Sequence, residues 1–163
     1  MKILMVTSET VPFAKTGGLA DAVSALAISM KKQGHDVRIV LPRYYKIDRS
    51  KLTKLEGPMG VAAGQIETWV AVYESKLPGT DVPVYFLDHE DAFGRDGIYG
   101  TKTETDFHDN PYRSAILCHG AFQLCRKLGW YPDIMHAHDW FAGLVPVLLK
   151  CVCRNGYFAH TSS

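Results

Sequence analysis

Apolar and polar positions fall into distinct rhythms along the chain, and the rhythms predict its elements. Lys2-Ile-Leu-Met-Val-Thr7 is an unbroken apolar run that stops at a polar turn, the pattern of a parallel strand covered on both faces. After a segment containing Pro12, Gly17 and Gly18, apolar side chains recur at Leu19, Ala22, Val23, Leu26 and Met30, the spacing of one helical face, and Gly34 predicts the helix end. Val37-Arg-Ile-Val-Leu41 is a second strand, stopped by Pro42. Strand, helix, strand in this order predicts a crossover and a parallel sheet.

The middle of the chain changes character. Gln65–Tyr73 is rich in β-branched and aromatic residues, and Val82–Leu87 follows a Pro-Gly turn, so two further strands are expected. From Asp88 to Asp109 the sequence is polar and glycine-bearing without sustained period, which predicts a long surface loop. Asp109 or Asn110 is positioned to cap a helix that begins at Pro111, buries Ile116, Leu117, Ala121, Leu124, Cys125 and Leu128, and stops at Gly129. Asp133–Asp139 reads as a strand running into a loop, and Trp140–Lys150 as another helix. No repeat, low-complexity tract or linker interrupts residues 1–163, so the expectation is one α/β domain.

Composition supports a packed interior: 47% of residues are hydrophobic and 21% charged, which excludes a disordered or collagen-like chain. The formal net charge of +1, with both signs interspersed, gives no basic face, so neither nucleic acid nor anionic membrane is an expected partner. The short apolar start, broken at Thr7-Ser8-Glu9, lacks the pattern of a signal peptide, and no stretch is long enough to span a bilayer. Cys118, Cys125, Cys151 and Cys153 match no zinc-finger or Cys-x-x-Cys spacing. They read as reduced thiols of a cytoplasmic protein.

Two constellations carry candidate chemistry. Lys15-Thr-Gly-Gly-Leu19 lies between the first strand and first helix, where open α/β sheets present a ligand crevice. Gly17 and Gly18 permit close backbone approach, the helix start offers free N–H groups, and Lys15 adds a mobile positive charge suited to a diphosphate. The segment is neither a Walker A sequence nor Gly-x-Gly-x-x-Gly, and a plain turn with a solvated lysine is the alternative. Asp21 sits where the helix dipole favours a carboxylate whatever its role, and Glu9 is either a site carboxylate or a cap. The second constellation, His136-Ala-His138-Asp139-Trp140, falls at a strand end, with the two histidines on one face and Asp139 on the other. Asp139 and one histidine are suited to hold sugar hydroxyls and to stabilise positive charge on a glycosyl carbon. A metal site would need further ligands that no spacing supplies; His136 reads as a satisfied residue near the sheet interior in preference to a catalytic one, and core packing is the alternative for Trp140. The loop Phe93–Gly100, with Tyr99, has the aromatic and flexible character of a carbohydrate contact or of an exposed turn.

Taken together, Ser8–Asp21, Gly34–Tyr44 and Pro132–Trp140 resemble bacterial glycogen synthases and plant starch synthases, in order and across nearly the whole chain. The resemblance implies a Rossmann-like, three-layer α/β/α domain with a mostly parallel sheet, the N-terminal half of a two-domain GT-B glycosyltransferase. The implied reaction is transfer of glucose from ADP-glucose to the non-reducing end of an α-1,4-glucan with retention, without metal or cofactor. By analogy Lys15, Gly17 and Gly18 approach the donor, Asp21 contacts the nucleotide, His138 binds substrate, and Tyr99 and Asp139 serve as catalytic residues lining the glucosyl site. Phe141 departs from the histidine or other polar residue of many relatives. Relatives continue past the position of Ser163 into a strand with a further donor-contacting histidine and into a C-terminal nucleotide-binding domain. The chain by itself is therefore expected to be inactive. The competing expectations are a non-catalytic glucan-binding module, and a metal hydrolase built on His136 and His138.

Overall fold

A computed structural model describes residues 1–153 and 156–163. Seven strands form one mixed sheet: β1 (Lys2–Val6), β2 (Asp36–Pro42), β3 (Thr53–Lys54), β4 (Met59–Ala63), β5 (Ile66–Lys76), β6 (Pro83–Asp88) and β7 (Ile134–Ala137). Their spatial order is β3-β5-β6-β2-β1-β7, with β4 also paired to β5. The ladders β6–β2, β2–β1 and β1–β7 are parallel; β5 pairs antiparallel with β6, β3 and β4. A parallel half thus carries an antiparallel extension on one side. The helices are α1 (Gly18–Lys32), the short α2 (Glu90–Phe93), α3 (Asn110–Leu128) and α4 (Leu144–Cys151).

The apolar runs behave as their patterns predict. In β1 Ile3, Leu4, Met5 and Val6 are all buried, as are Val37, Ile39, Val40 and Leu41 in β2, because helices cover both faces of these strands. The chain steps from β1 through α1 to β2 in one direction across the sheet and from β6 through α3 back past β2 to β7 in the other. Right-handed crossovers in opposite directions place α1 and α3 on opposite faces, and the direction reverses between β1 and β7. The crevice at the carboxyl ends of these two strands is where such a sheet binds ligands.

The helix ends match their signals. Gly34 and Gly129 take φ of 87° and 57°, stopping α1 and α3 in the left-handed region that glycine tolerates. Pro111 lies in the first turn of α3, but Asp109 makes no capping bond there. Its carboxylate instead takes a paired contact from Arg95 (3.0 and 2.7 Å). Burial of Asp109 opposes ionisation, and the Arg95 guanidinium outweighs it, holding the carboxyl below the usual range.

Two expectations are corrected, and two strands are added. The segment 88–109 is not simply a surface loop: it holds α2, and Ala92, Phe93, Ile98 and Phe107 are buried. The stretch Trp140–Lys150 is not one helix, because a 3-10 turn at Trp140–Ala142 leads through Gly143 into α4. Finally, β3 and β4 occupy a region with no clear sequence pattern; Met59, Val61 and Ala63 turn inward beneath α3. After α4 the chain returns to β7, where Ser162 accepts from the Met135 amide and donates to the Asp133 carbonyl in a parallel bridge.

Candidate active site

The ends of β1 and β7 meet in register. His138 continues the β7 ladder by donating its amide to the Val6 carbonyl (2.9 Å), while the Thr7 amide bonds the Val40 carbonyl (3.1 Å). The residues that follow, Ser8–Glu9 from one strand and His138–Asp139 from the other, therefore stand side by side on the carboxyl edge of the sheet.

From β1 the chain runs through the glycine loop into α1. The Lys15 ammonium contacts the Asp21 carboxylate at 2.6 Å, with both side chains more than half exposed. Such an exposed pair is weak and exchanges readily for a bound anion. Gly17 caps α1 with extended backbone (φ −147°) and no side-chain capping bond, and the Gly18 and Leu19 amides have no hydrogen-bond partner among the described residues. A Cβ added at Gly17 or Gly18 would meet nothing within 4 Å. Neither glycine is required by φ or by packing against the protein. The space above them is open, and unpaired N–H groups at a helix start face it.

Glu9 organises this loop. It is only 2% exposed, and its carboxylate accepts from the Thr16 amide, the Thr16 hydroxyl (2.7 Å), the Gly17 amide (3.4 Å) and the Tyr99 hydroxyl (2.8 Å). Sequence alone left Glu9 between cap and site residue; its place after a buried strand and before the glycine loop was the available signal.

Tyr99 reaches the same point from the far side. Its phenol proton goes to Glu9, so the Ser8 hydroxyl donates to it in turn (2.6 Å). Burial, reinforced by Glu9, keeps this phenol protonated well above the ordinary range, despite the opposing Ser8 contact. Its ring packs on Trp140 and Phe141 at centroid distances of 5.5 and 5.8 Å. The loop is held from behind by Arg113, fully buried in α3, which donates to the Ala92 carbonyl and to Asn110 Oδ1 (2.6 Å each); Asn110 Nδ2 then bonds the Tyr99 carbonyl (2.8 Å). Arg113 was legible only as a residue three and four positions before Ile116 and Leu117, on the buried face of α3.

On the β7 side, the rings of His136 and His138 lie 4.2 Å apart on one face, as the strand period predicts. His138 Nε2 is buried without a hydrogen-bond partner. Burial, and secondarily the neighbouring His136, depress its pKa to about 4, so the ring is a neutral imidazole at physiological pH. Asp139 is exposed and takes φ 62° and ψ 177°, a region essentially reserved for glycine; its Oδ1 accepts from the Trp140 amide (2.7 Å). Strained backbone of this kind clusters at functional sites. Trp140 is half exposed, and Phe141 is the residue that enters the core. Phe93, grouped above with a sugar-contacting loop, is likewise core. Among the described residues no three His, Cys, Asp or Glu side chains converge as metal ligands, so the two histidines stand as a pair.

The structure thus brings Thr16, Gly17 and Tyr99 onto Glu9, with Lys15 and Asp21 paired across the glycine loop beside Gly18, and His138 and Asp139 at the end of the adjoining strand. A pocket of about 180 Å³ opens beside the glycine loop, lined by Phe13, Lys15, Thr16, Tyr44, Lys46 and Arg95 among others. A larger hollow of about 540 Å³ lies behind α4; among the described residues its lining carries one charged side chain, Lys150, and no carboxylate or histidine side chain. No helix is long and apolar enough to cross a membrane among the described residues.

Comparison with known proteins gives the chain its relatives. A family model described as the starch synthase catalytic domain matches residues 2–163. The chain is 61% identical over 163 residues to a glycogen synthase of Treponema denticola, covering 100% of the chain and 33% of that protein. It is 47% identical over 156 residues to glycogen synthase 1 of Geobacter metallireducens, covering 92% of the chain and 30% of that protein. Among solved structures, the catalytic domain of starch synthase IV from Arabidopsis thaliana, bound to ADP and acarbose, superposes with a TM-score of 0.83 at 25% identity, over 98% of this chain and 32% of that one. The chain spans about a third of the length of these relatives. With matches of this extent, it belongs to the glycogen and starch synthase family.

Proposed function

We propose that this chain supplies the N-terminal side of the active site of a cytoplasmic, retaining glucosyltransferase, which moves glucose from ADP-glucose to the non-reducing end of an α-1,4-glucan. The observation that carries the reading is the Gly17–Gly18 pair: glycines the fold does not need, open space where side chains would stand, and unpaired amides beside a mobile lysine. The relatives are named glycogen synthases, and the Arabidopsis domain was solved with ADP and acarbose, which supports a nucleotide and a sugar as ligands here.

In this reading Lys15 leaves Asp21 to neutralise the donor diphosphate, Gly18 and Leu19 amides bond its oxygens, and Asp21 contacts the nucleotide. The bond from the glucosyl carbon to the phosphate oxygen breaks as the bond to the acceptor hydroxyl oxygen forms on the same face, and the proton of that hydroxyl passes to the departing phosphate oxygen. Positive charge on that carbon is met by the Asp139 carboxylate, whose Oδ2 has no partner among the described residues. His138, neutral and with Nε2 unpaired, is suited to hold a sugar hydroxyl. Tyr99, kept protonated and bonded to Glu9, contributes its ring face to the glucosyl pocket and not a proton transfer. No metal or cofactor enters. The remaining two thirds of the family's length would close the cleft, so the chain by itself should not turn over.

The test is transfer of radiolabelled glucose from ADP-glucose to glycogen by this chain and by the full-length polypeptide that carries it. Activity only in the longer protein, reduced about 100-fold or more by Lys15→Ala through lost charge stabilisation, is the expected result. Inactivity of a folded full-length protein, with retained maltooligosaccharide binding, would reassign the chain as a glucan-binding module.

A further inference from the structure

Glu9 presents an unusual balance of charge. Its carboxylate is buried, and no lysine, arginine or histidine lies within ion-pair distance among the described residues. Ionised carboxylates are costly to bury, and this one is compensated wholly by neutral donors: two amides and a hydroxyl of Thr16–Gly17, and the phenol of Tyr99. Those donors belong to two separate loops, one leading into α1 and the other lying between α2 and α3. The bond between Thr7 Oγ1 and the Glu9 amide (3.2 Å), and that from Thr7 Oγ1 to the Glu9 carbonyl (2.9 Å), fix the residue to the end of β1. One side chain therefore joins sheet, glycine loop and aromatic loop.

The arrangement also divides the amides of the helix start. Thr16 and Gly17 are taken by Glu9, while Gly18 and Leu19 are left for a ligand. Loss of the carboxylate would free the Thr16 and Gly17 amides as well and let the loop turn, so the ligand-facing pair would no longer be defined in advance. A misplacement of about 1 Å in a reacting group is enough to cost about 100-fold in rate.

We propose that Glu9 is a positioning residue, an internal anion that locks the glycine loop and the Tyr99 ring into one donor-binding arrangement without touching the donor itself. The proposal rests on the reading of this crevice as a glucosyl-donor site. It specifies a coupling: Glu9 and Tyr99 act through one shared hydrogen bond, so their substitutions should not add.

The experiment uses the full-length polypeptide with Glu9→Ala, Glu9→Gln, Tyr99→Phe and the double variant Glu9→Gln/Tyr99→Phe. Steady-state kinetics with ADP-glucose are paired with amide hydrogen exchange over residues 15–19 and 96–100. Glu9→Ala is expected to raise the ADP-glucose KM and lower kcat, each by about tenfold, while the glucan KM moves less than about twofold. Glu9→Gln, which keeps one acceptor oxygen, should recover part of the loss, and the double variant should be no worse than the poorer single one. Exchange should accelerate at both loops together. Should Glu9→Ala fail to fold, the Glu9→Gln and Tyr99→Phe pair still decides. Unchanged donor kinetics in folded variants, fully additive losses, or exchange unaltered at residues 15–19 would each overturn the proposal. If the unsubstituted protein shows no transfer, kinetics are silent on Glu9 and the exchange data decide alone: coupled loosening keeps the clamp while the donor-site reading fails.

Discussion

At Gly17 and Gly18 the fold makes no demand that alanine would not meet. Gly17 is extended, Gly18 opens α1, and neither has a neighbour within 4 Å of an added Cβ. Replacing a glycine at such a position removes disorder from the unfolded chain, so Gly18→Ala should leave stability unchanged or raise it by up to about 1 kcal/mol, while at Gly17 the N-cap preference for glycine over alanine offsets that gain. On the proposed donor-site reading, the added methyl would stand in the path of a phosphate. Affinity for ADP in the full-length protein should then fall by about tenfold or more, the worth of one hydrogen bond to a charged group, about 1.5–3 kcal/mol. Thermal melting and calorimetric titration of the same variants would show the two quantities moving in opposite directions; parallel losses would make the glycines structural.

The same substitution carries the opposite sign inside an element. Gly120 lies on the sheet-facing side of α3, and an added Cβ would sit 2.6 Å from Leu87 Cδ1 in β6 and 3.9 Å from Val61 Cγ2 in β4. Leu87 is fully buried, so its methyl can yield only by repacking against its neighbours in the core. Gly120→Ala should therefore cost about 1–3 kcal/mol by overpacking, against the helix propensity it gains, as read by urea unfolding. The elements themselves were unevenly legible. β1, α1, β2 and α3 announced themselves because burial on a regular element imposes a period. β3 has two residues and β4 is built of Met59, Gly60, Val61, Ala62 and Ala63, too short or too small-sided to display one. The segment before α3 was misread for a different reason. Phe93, Ile98 and Phe107 are buried by packing of an irregular chain around Arg113, whose guanidinium lies 4.9 Å from the Phe107 ring centre, and irregular backbone writes no period into sequence. The four-charge cluster of Arg43, Arg49, Asp88 and Glu90, which ties the ends of β2 and β6 to α2, is equally invisible in one dimension, since its members are up to 47 positions apart.

Across the whole molecule the site was legible as two motifs but not as one object. Lys15–Leu19 and His136–Trp140 are more than a hundred positions apart, and only the parallel pairing of β1 with β7 makes them neighbours. That junction also writes itself into global stability, through His138. Its folded pKa of about 4 lies below the ordinary histidine value of 6.5, because burial desolvates the ring and His136 adds a second potential charge. The folded protein therefore binds the proton less readily than the unfolded chain. The sign follows: stability is fully present above pH 6.5, declines as the pH falls and the unfolded chain gains its proton, and levels off once the folded ring is protonated near pH 4. The limiting slope for one such group is about 1.4 kcal/mol per pH unit, less here because the ring is not wholly sealed from solvent. His138→Asn removes the titration, while His119, whose pKa burial also lowers, is common to both proteins and cancels in the comparison. Urea midpoints measured from pH 6.5 down to pH 4 should fall more steeply for the natural chain than for the variant. Parallel curves would mean that His138 is open to water in solution, and the neutral, unpaired imidazole offered to a sugar hydroxyl would lose its basis.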